Sequence, residues 1–158
     1  MLKNRLMTEL SKVSDNVLIK PCLVFDIDGT IIYEKEFRLI DLEDNIIMDV
    51  YKLLLYAQNV LKIPIVIITA RFLDKESLKE TKKLLKRMRI KYVKLYLMDE
   101  VTYNQATPHK FKREARKELV DEGFTPLMSF GDNYWDYGEH GGIGVHIYNN
   151  GETIKLIN

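Results

Sequence analysis

The sequence predicts an α/β domain of three layers, a central and mainly parallel sheet with helices on both faces. Three observations carry this prediction. Short apolar runs at Cys22 to Phe25, Ile63 to Ile68 and Thr125 to Phe130 read as strands buried on both sides. Helical patterns separate the strands, the arrangement of right-handed βαβ units. Each run also stops at polar residues, where the reactive ends of parallel strands lie.

Leu2, Leu6, Leu10, Val13 and Val17 recur at three- and four-residue steps, predicting an amphipathic helix over residues 1–20, ended by Pro21, ahead of a single domain over 21–158. Cys22 to Phe25 is the first strand, and it breaks into a turn at Asp26-Ile-Asp-Gly-Thr30. Residues 33–41 are mixed and charged, after which Asp44, Ile46, Ile47, Val50, Leu53, Leu54 and Ala57 give a helical face with an acidic start. Pro64 sits at the beginning of the second strand, where a missing N–H is tolerated. A lysine-rich helix is expected from Lys75 to about Arg89. The alternation of polar and apolar residues from Tyr92 to Leu97 puts the third strand near a sheet edge. Phe111 to Asp121 reads as a helix stopped by Gly123. Thr125 to Phe130 and Val145 to Tyr148 are the fourth and fifth strands.

Composition excludes more than it identifies. With 158 residues, 46% hydrophobic and 30% charged, the chain can bury one sizeable core and is neither disordered nor a disulfide-stapled miniprotein. Lysine and arginine total 24 against 23 acidic residues, so a net charge of +1 gives no global pull toward nucleic acid or an acidic membrane surface. No apolar run approaches the roughly 20 residues that span a bilayer, and no membrane partner is expected. Cys22 has no second cysteine to bridge and the first residues lack a secretory pattern, so a reducing, cytoplasmic setting is expected. Oligomeric state is not legible.

Chemistry-bearing residues gather at three strand ends: Asp26 and Asp28 after the first, Thr69, Ala70 and Arg71 after the second, Asp132 and Asp136 after the fourth. Two neighbouring carboxylates and a third from another strand repel one another unless a cation lies among them, and an all-oxygen donor set suits Mg2+. Carboxylates, Mg2+, a hydroxyl and a lysine, either Lys110 or Lys112, form a set for phosphoryl transfer, which depends on positioning and charge neutralisation. Gly29 permits a tight turn that brings N–H groups to phosphate oxygens, and Thr30 adds a polar contact. Asp136 belongs to the site or caps a helix. Arg71 faces phosphate or pairs with a surface carboxylate. Trp135 stacks on a substrate ring or closes the core. The run Lys82 to Arg89 is a solvated face or a polyanion-binding one. His109, His140 and His146 show no metal-ligand spacing.

Asp26-Ile-Asp-Gly-Thr30, preceded by the apolar Leu23-Val-Phe25, resembles the first motif of the haloacid dehalogenase superfamily of phosphohydrolases. Thr69 resembles the second motif, Lys112 the third, and Gly131-Asp132 with Asp136 the fourth, in order across residues 22 to 148. Phe111-Lys112, Arg116, Leu119, Gly123-Phe124 and Gly131 to Asp136 resemble the class B and plant acid phosphatase branch, in which the lysine precedes the aspartate by twenty residues, as Lys112 precedes Asp132. That match favours Lys112 over Lys110.

The resemblance implies a Rossmann-like fold and Mg2+-dependent hydrolysis of a phosphomonoester. Asp26 would be the nucleophile and Asp28 the general acid and base. Thr69 and Lys112 would hold the phosphoryl oxygens, with Gly29, Thr30, Ala70 and Arg71 beside them. Mg2+ would be held by Asp26, the Asp28 backbone, Asp132 and Asp136. The stretches between motifs are filled by assigned elements, so no separate cap domain is expected, and the substrate is either a phosphorylated small molecule or a phosphate exposed on something larger. Two other readings are a polynucleotide end-phosphatase and a non-enzymatic binding or storage protein on the same scaffold; the second sits poorly with an intact Asp26.

Overall fold

The computed structural model describes residues 1–99 and 107–157. Six strands form one sheet: β1 Lys20–Phe25, β2 Ile65–Phe72, β3 Tyr92–Met98, β4 Phe124–Gly131, β5 Ile143–Tyr148 and β6 Thr153–Ile157. Their order is β3-β2-β1-β4-β5-β6, parallel throughout except for β6. The helices among the described residues are α1 Leu2–Ser11, α2 Met48–Asn59, α3 Lys75–Arg87 and α4 Thr107–Asp121.

Alternation along β1 and β2 explains the layering. Leu23, Phe25, Ile65 and Ile67 join a core cluster with Val50, Leu53 and Leu54 of α2 and Leu84 and Leu85 of α3. Cys22, Val24, Val66 and Ile68 point the other way, into a cluster with Ala115 and Leu119 of α4. Both faces of the central strands are therefore apolar, which is why their sequences read as continuous apolar runs. The chain winds outward from β1 through β2 to β3, then returns to place β4 on β1's other side. That reversal opens a crevice beyond the strand ends, the position at which open α/β sheets bind ligands. Register fixes what enters it: Phe25 pairs with Phe130, their rings stacked at 4.4 Å, so Asp26 and Gly131-Asp132 leave the sheet side by side.

The structure departs from the sequence reading at several element ends; α4 begins at Thr107 rather than Phe111, and β2 at Ile65 rather than Ile63. Helix α1 ends at Ser11, Val17 is 94% exposed, and Pro21 lies inside β1, before the residues that pair with β2. Leu6 is fully buried in the main core. Leu39 to Asn45 form a 3-10 turn, tied by Asn45 Nδ2 donating to the Asp41 carbonyl at 2.7 Å, so α2 starts at Met48 and Asp44 lies outside it. Strand β2 runs on to Phe72, with a register shift against β3 between Thr69 and Phe72. Strand β6 had no counterpart in the sequence reading; it returns antiparallel to β5 through Asn149-Asn150-Gly151, whose two asparagines and glycine all have positive φ.

Candidate active site

The ammonium of Lys112, on α4, is the hub of the crevice. It is buried and donates to Asp26 Oδ1 at 2.9 Å, Asp136 Oδ1 at 2.6 Å and the Ile68 carbonyl at 2.8 Å, using all three protons. Burial alone would lower its pKa, but Asp26 and Asp136 hold it above the ordinary lysine value. Lys110 instead faces solvent, 4.0 Å from Glu114. Between the two lysines left open by residue chemistry, the structure brings Lys112 to the carboxylates.

Carboxylate oxygens of Asp26, Asp132 and Asp136 lie within 4.8 Å of one another. Burial, then the charge of Asp26, pushes the Asp132 carboxyl up to about 8 and Asp136 up to about 6. With all three ionised, one touching ammonium would leave two negative charges uncompensated, which is the charge and the donor set that a divalent, oxygen-seeking ion requires; without such an ion the raised pKa values favour keeping a proton in the cluster. The residues present fit Mg2+.

Asp136 both caps a turn and lies among the other carboxylates. Its Oδ2 accepts the Asn133 N–H at 3.0 Å, capping the 3-10 turn Tyr134–Asp136, while its Oδ1 meets Lys112. Asn133 Nδ2 also donates to Asp132 Oδ1 at 3.2 Å, tying the second acid to the same turn. Close packing holds them there. A Cβ on Gly131 would overlap the Asp136 side chain, and one on Gly29, whose φ is +79°, would overlap the Asp132 carboxylate.

The turn after β1 is used differently from the expectation. The Gly29 N–H donates to the Ile32 carbonyl at 2.8 Å and the Thr30 N–H to the Ile27 carbonyl at 3.1 Å, so these donors close the turn. The Thr30 hydroxyl is fully buried and faces Asp26 Oδ2 at 3.4 Å. Thr69 is buried at the end of β2, its hydroxyl accepting the Arg71 N–H at 3.2 Å and keeping its own proton to donate.

Arg71 forms a two-pronged pair with Asp28, Nε to Oδ2 and Nη2 to Oδ1, both at 2.8 Å, and its Nη1 reaches Thr81 of α3 at 3.3 Å. Arg71 lies in the register shift of β2, where three steps from Thr69 to Phe72 face one step from Leu97 to Met98, and extra residues in a strand re-aim the side chains beside them. Asp28, Ala70 and Arg71 then line an open cleft of about 1210 Å3, bordered by Phe37, Phe72 and Lys83. No separate domain covers it among the described residues.

Two supporting residues carried no role in the sequence reading. Arg116, one helical turn after Lys112, is buried and donates through Nε to the Glu139 carbonyl at 2.9 Å and through Nη1 to the Trp135 carbonyl at 2.8 Å. Burial lowers its pKa, against the charge of Asp136. Ser129 of β4 donates to the Gly141 carbonyl at 2.7 Å. Arg116 stood in the sequence block that resembles the acid phosphatase branch, without a role, and its position on an apolar stripe with Ala115 and Leu119 was a further signal. Trp135 is half-buried in an edge-on contact with Tyr134, which in turn contacts His109.

Three solved structures share this architecture. A class C acid phosphatase from Bacillus anthracis superposes with a TM-score of 0.58 at 20% identity, over 85% of this chain and 61% of that one. The D,D-heptose bisphosphate phosphatase of B. bronchiseptica, solved with magnesium and phosphate, gives 0.58 at 13% identity, over 84% and 83% of the two chains. The chain has the fold of these phosphatases. A Pnkp1/Rnl/Hen1 complex matches at 0.58 and 16% identity, over 73% of this chain and 39% of that one. The chain thus spans about three fifths of the acid phosphatase and less of the complex's chain. No family model and no curated protein matches the sequence. No helix among the described residues is long and apolar enough to cross a membrane.

Proposed function

We propose that the protein is a Mg2+-dependent phosphohydrolase that cleaves phosphomonoesters through an aspartyl-phosphate on Asp26. The observation that carries this reading is the Lys112 hub, which draws a strand-end aspartate, a second acid and a strand-end carbonyl to one buried point. Lys112 occupies Asp26 Oδ1, leaving Oδ2 the freer oxygen for attack on phosphorus. The new Oδ2–P bond forms as the bond to the leaving oxygen breaks, and Asp28, once its carboxyl leaves the Arg71 fork and takes up a proton, gives that proton to the leaving oxygen. Water then attacks phosphorus, Asp28 takes a proton from it, and release of phosphate regenerates the Asp26 carboxylate. Thr69 and Lys112 would donate to the phosphoryl oxygens in both steps. Asp26, Asp132 and Asp136, with the Asp28 backbone, would hold Mg2+, which when bound neutralises charge on the phosphoryl group.

The open cleft admits a large leaving group, and Lys83 on its border continues into the basic residues of α3. This favours, as a second reading, phosphate removal from a polynucleotide end, since one matching chain belongs to the Pnkp1/Rnl/Hen1 RNA repair complex. The free, buried Cys22 accords with a cytoplasmic setting.

Purified protein should hydrolyse a generic aryl phosphate in Mg2+, stop in EDTA and recover when Mg2+ is restored. Asp26→Asn should abolish turnover while leaving the circular dichroism spectrum unchanged. Full activity in that variant, or in chelator, removes the nucleophile or the metal from the reading. Salt-sensitive preference for oligonucleotide ends over free nucleotides would select the second reading.

A further inference from the structure

Both acids after β4 sit on one short loop, and the question is what holds that loop to the rest of the fold. Its turn is self-capped: Asp136 accepts from the Asn133 N–H, and Asn133 holds Asp132. Such a turn fixes the acids relative to each other, and Lys112 ties one of them, Asp136, to Asp26 through their side chains. Arg116 adds a restraint on the backbone of the loop. Its Nη1 takes the Trp135 carbonyl, part of the peptide group that leads into Asp136, and its Nε takes the Glu139 carbonyl three residues further on. Ser129 holds the loop's far end through the Gly141 carbonyl, and Tyr137 and His146 of β5 meet at 2.7 Å. There is no spare room between these restraints, because a Cβ on Gly141 would come 2.8 Å from Ser129 Oγ and 3.2 Å from Arg116 Cδ.

Arg116 is an expensive way to hold a loop. It is among the largest fully buried side chains, and among the described residues no carboxylate lies within ion-pair distance of it. A buried guanidinium whose partners are carbonyls recovers less of its hydration than one paired with an acid. What it gains is geometry: a planar fork with two of its donors on two carbonyls of one loop fixes that loop's orientation as well as its distance.

Resting on the reading that Asp26, Asp132 and Asp136 take a divalent ion, we infer that Arg116 is a positioning residue that sets the affinity of that acid cluster for Mg2+ through the loop from Asp132 to Gly141. It touches neither the metal nor the substrate. Loss of such an outer contact weakens metal binding by about 10- to 100-fold in well-studied metal sites.

Direct Mg2+ titration of the purified chain by calorimetry tests this without any assay of turnover. Arg116→Met removes both carbonyl contacts at nearly constant volume and should weaken Mg2+ binding by about 10-fold or more. Arg116→Lys keeps the charge, can reach one carbonyl, and should fall between parent and Met variant; it also serves if the Met variant does not fold. Leu119→Ala, in the same helix but away from the loop, should lower the melting temperature and leave Mg2+ affinity unchanged. A folded Arg116 variant that binds Mg2+ as the parent does overturns the inference and leaves the proposed function standing. An equal loss of affinity in Leu119→Ala also overturns it, since general loosening of α4 would then suffice. A parent protein that binds no Mg2+ takes both readings down together.

Discussion

Replacing Lys112 with methionine removes the ammonium that joins Asp26 to Asp136 and keeps most of the side-chain volume. Three bonds are lost together, to Asp26 at 2.9 Å, Asp136 at 2.6 Å and the Ile68 carbonyl at 2.8 Å, all within a buried site. Removing one partner of a buried ion pair costs about 3–5 kcal/mol, because the remaining charge is stranded. For a domain of this size, about 2–4 °C is lost per kcal/mol, so the melting temperature should fall by roughly 6–20 °C in chelator. A double-mutant cycle isolates the pair. Asp136→Asn keeps an oxygen to cap Asn133 but removes the charge, so Lys112→Met combined with Asp136→Asn should be less damaging than the sum of the two changes, by about 0.5–3 kcal/mol. Thermal and urea melts followed by circular dichroism give all four corners. A Met variant that melts within about 2 °C of the parent, or a cycle additive to within about 0.5 kcal/mol, would refute the reasoning that this lysine neutralises the cluster.

Other consequences are as specific. Gly131→Ala places a methyl group on the Asp136 side chain and should abolish aryl phosphate hydrolysis while the far-ultraviolet spectrum persists. Gly29→Ala meets the Asp132 carboxylate and also needs a φ of +79°, so it should lose both activity and stability, by more than the roughly 1 kcal/mol that a glycine-to-alanine change gains where the backbone suits it. Mg2+ at about 100 times its dissociation constant should stabilise the fold by about 2.7 kcal/mol, raising the melting temperature by about 5–11 °C, and Asp132→Asn should shrink that rise. Burial pushes the Cys22 thiol up to about 12, so at neutral pH it remains a thiol and should resist alkylation until the chain unfolds; rapid labelling of the native protein would contradict its placement.

Much of the fold was legible because buried strands and amphipathic helices carry their environments in their own sequence. Cys22 to Phe25 reads as apolar without interruption because α2 covers one face and α4 the other. The alternating Tyr92 to Leu97 did lie at the sheet's edge. What escaped was decided by tertiary contacts. Val17 kept the helical period, yet nothing packs over it, and the helix stopped at Ser11. Strand β6 needed β5 as a neighbour, although Asn150-Gly151 was a turn signal in plain view. In the site, the family resemblance singled out Asp26, Thr69, Lys112 and Asp132, and the structure brings Lys112 onto Asp26 and Asp132 within 4.8 Å of Asp26. The double duty of Asp136 was not legible, because a carboxylate has two oxygens and sequence cannot say that each takes a different partner. Nor could it reveal that the fork of Arg71 closes on Asp28, which depends on a register shift in β2.

The order of the strands also makes the site a late product of folding. Asp26 ends β1, but its lysine comes 86 residues later and its companion acids only after β4 has paired with β1. A growing chain that has completed β1, β2 and β3 holds Asp26 without the ammonium of Lys112 to neutralise it. Contacts this distant along the chain form slowly, so hydrolysis and the final docking of β4 should emerge on one clock. Refolding followed by turnover would then time the closing of the sheet, with the chemistry itself as the probe.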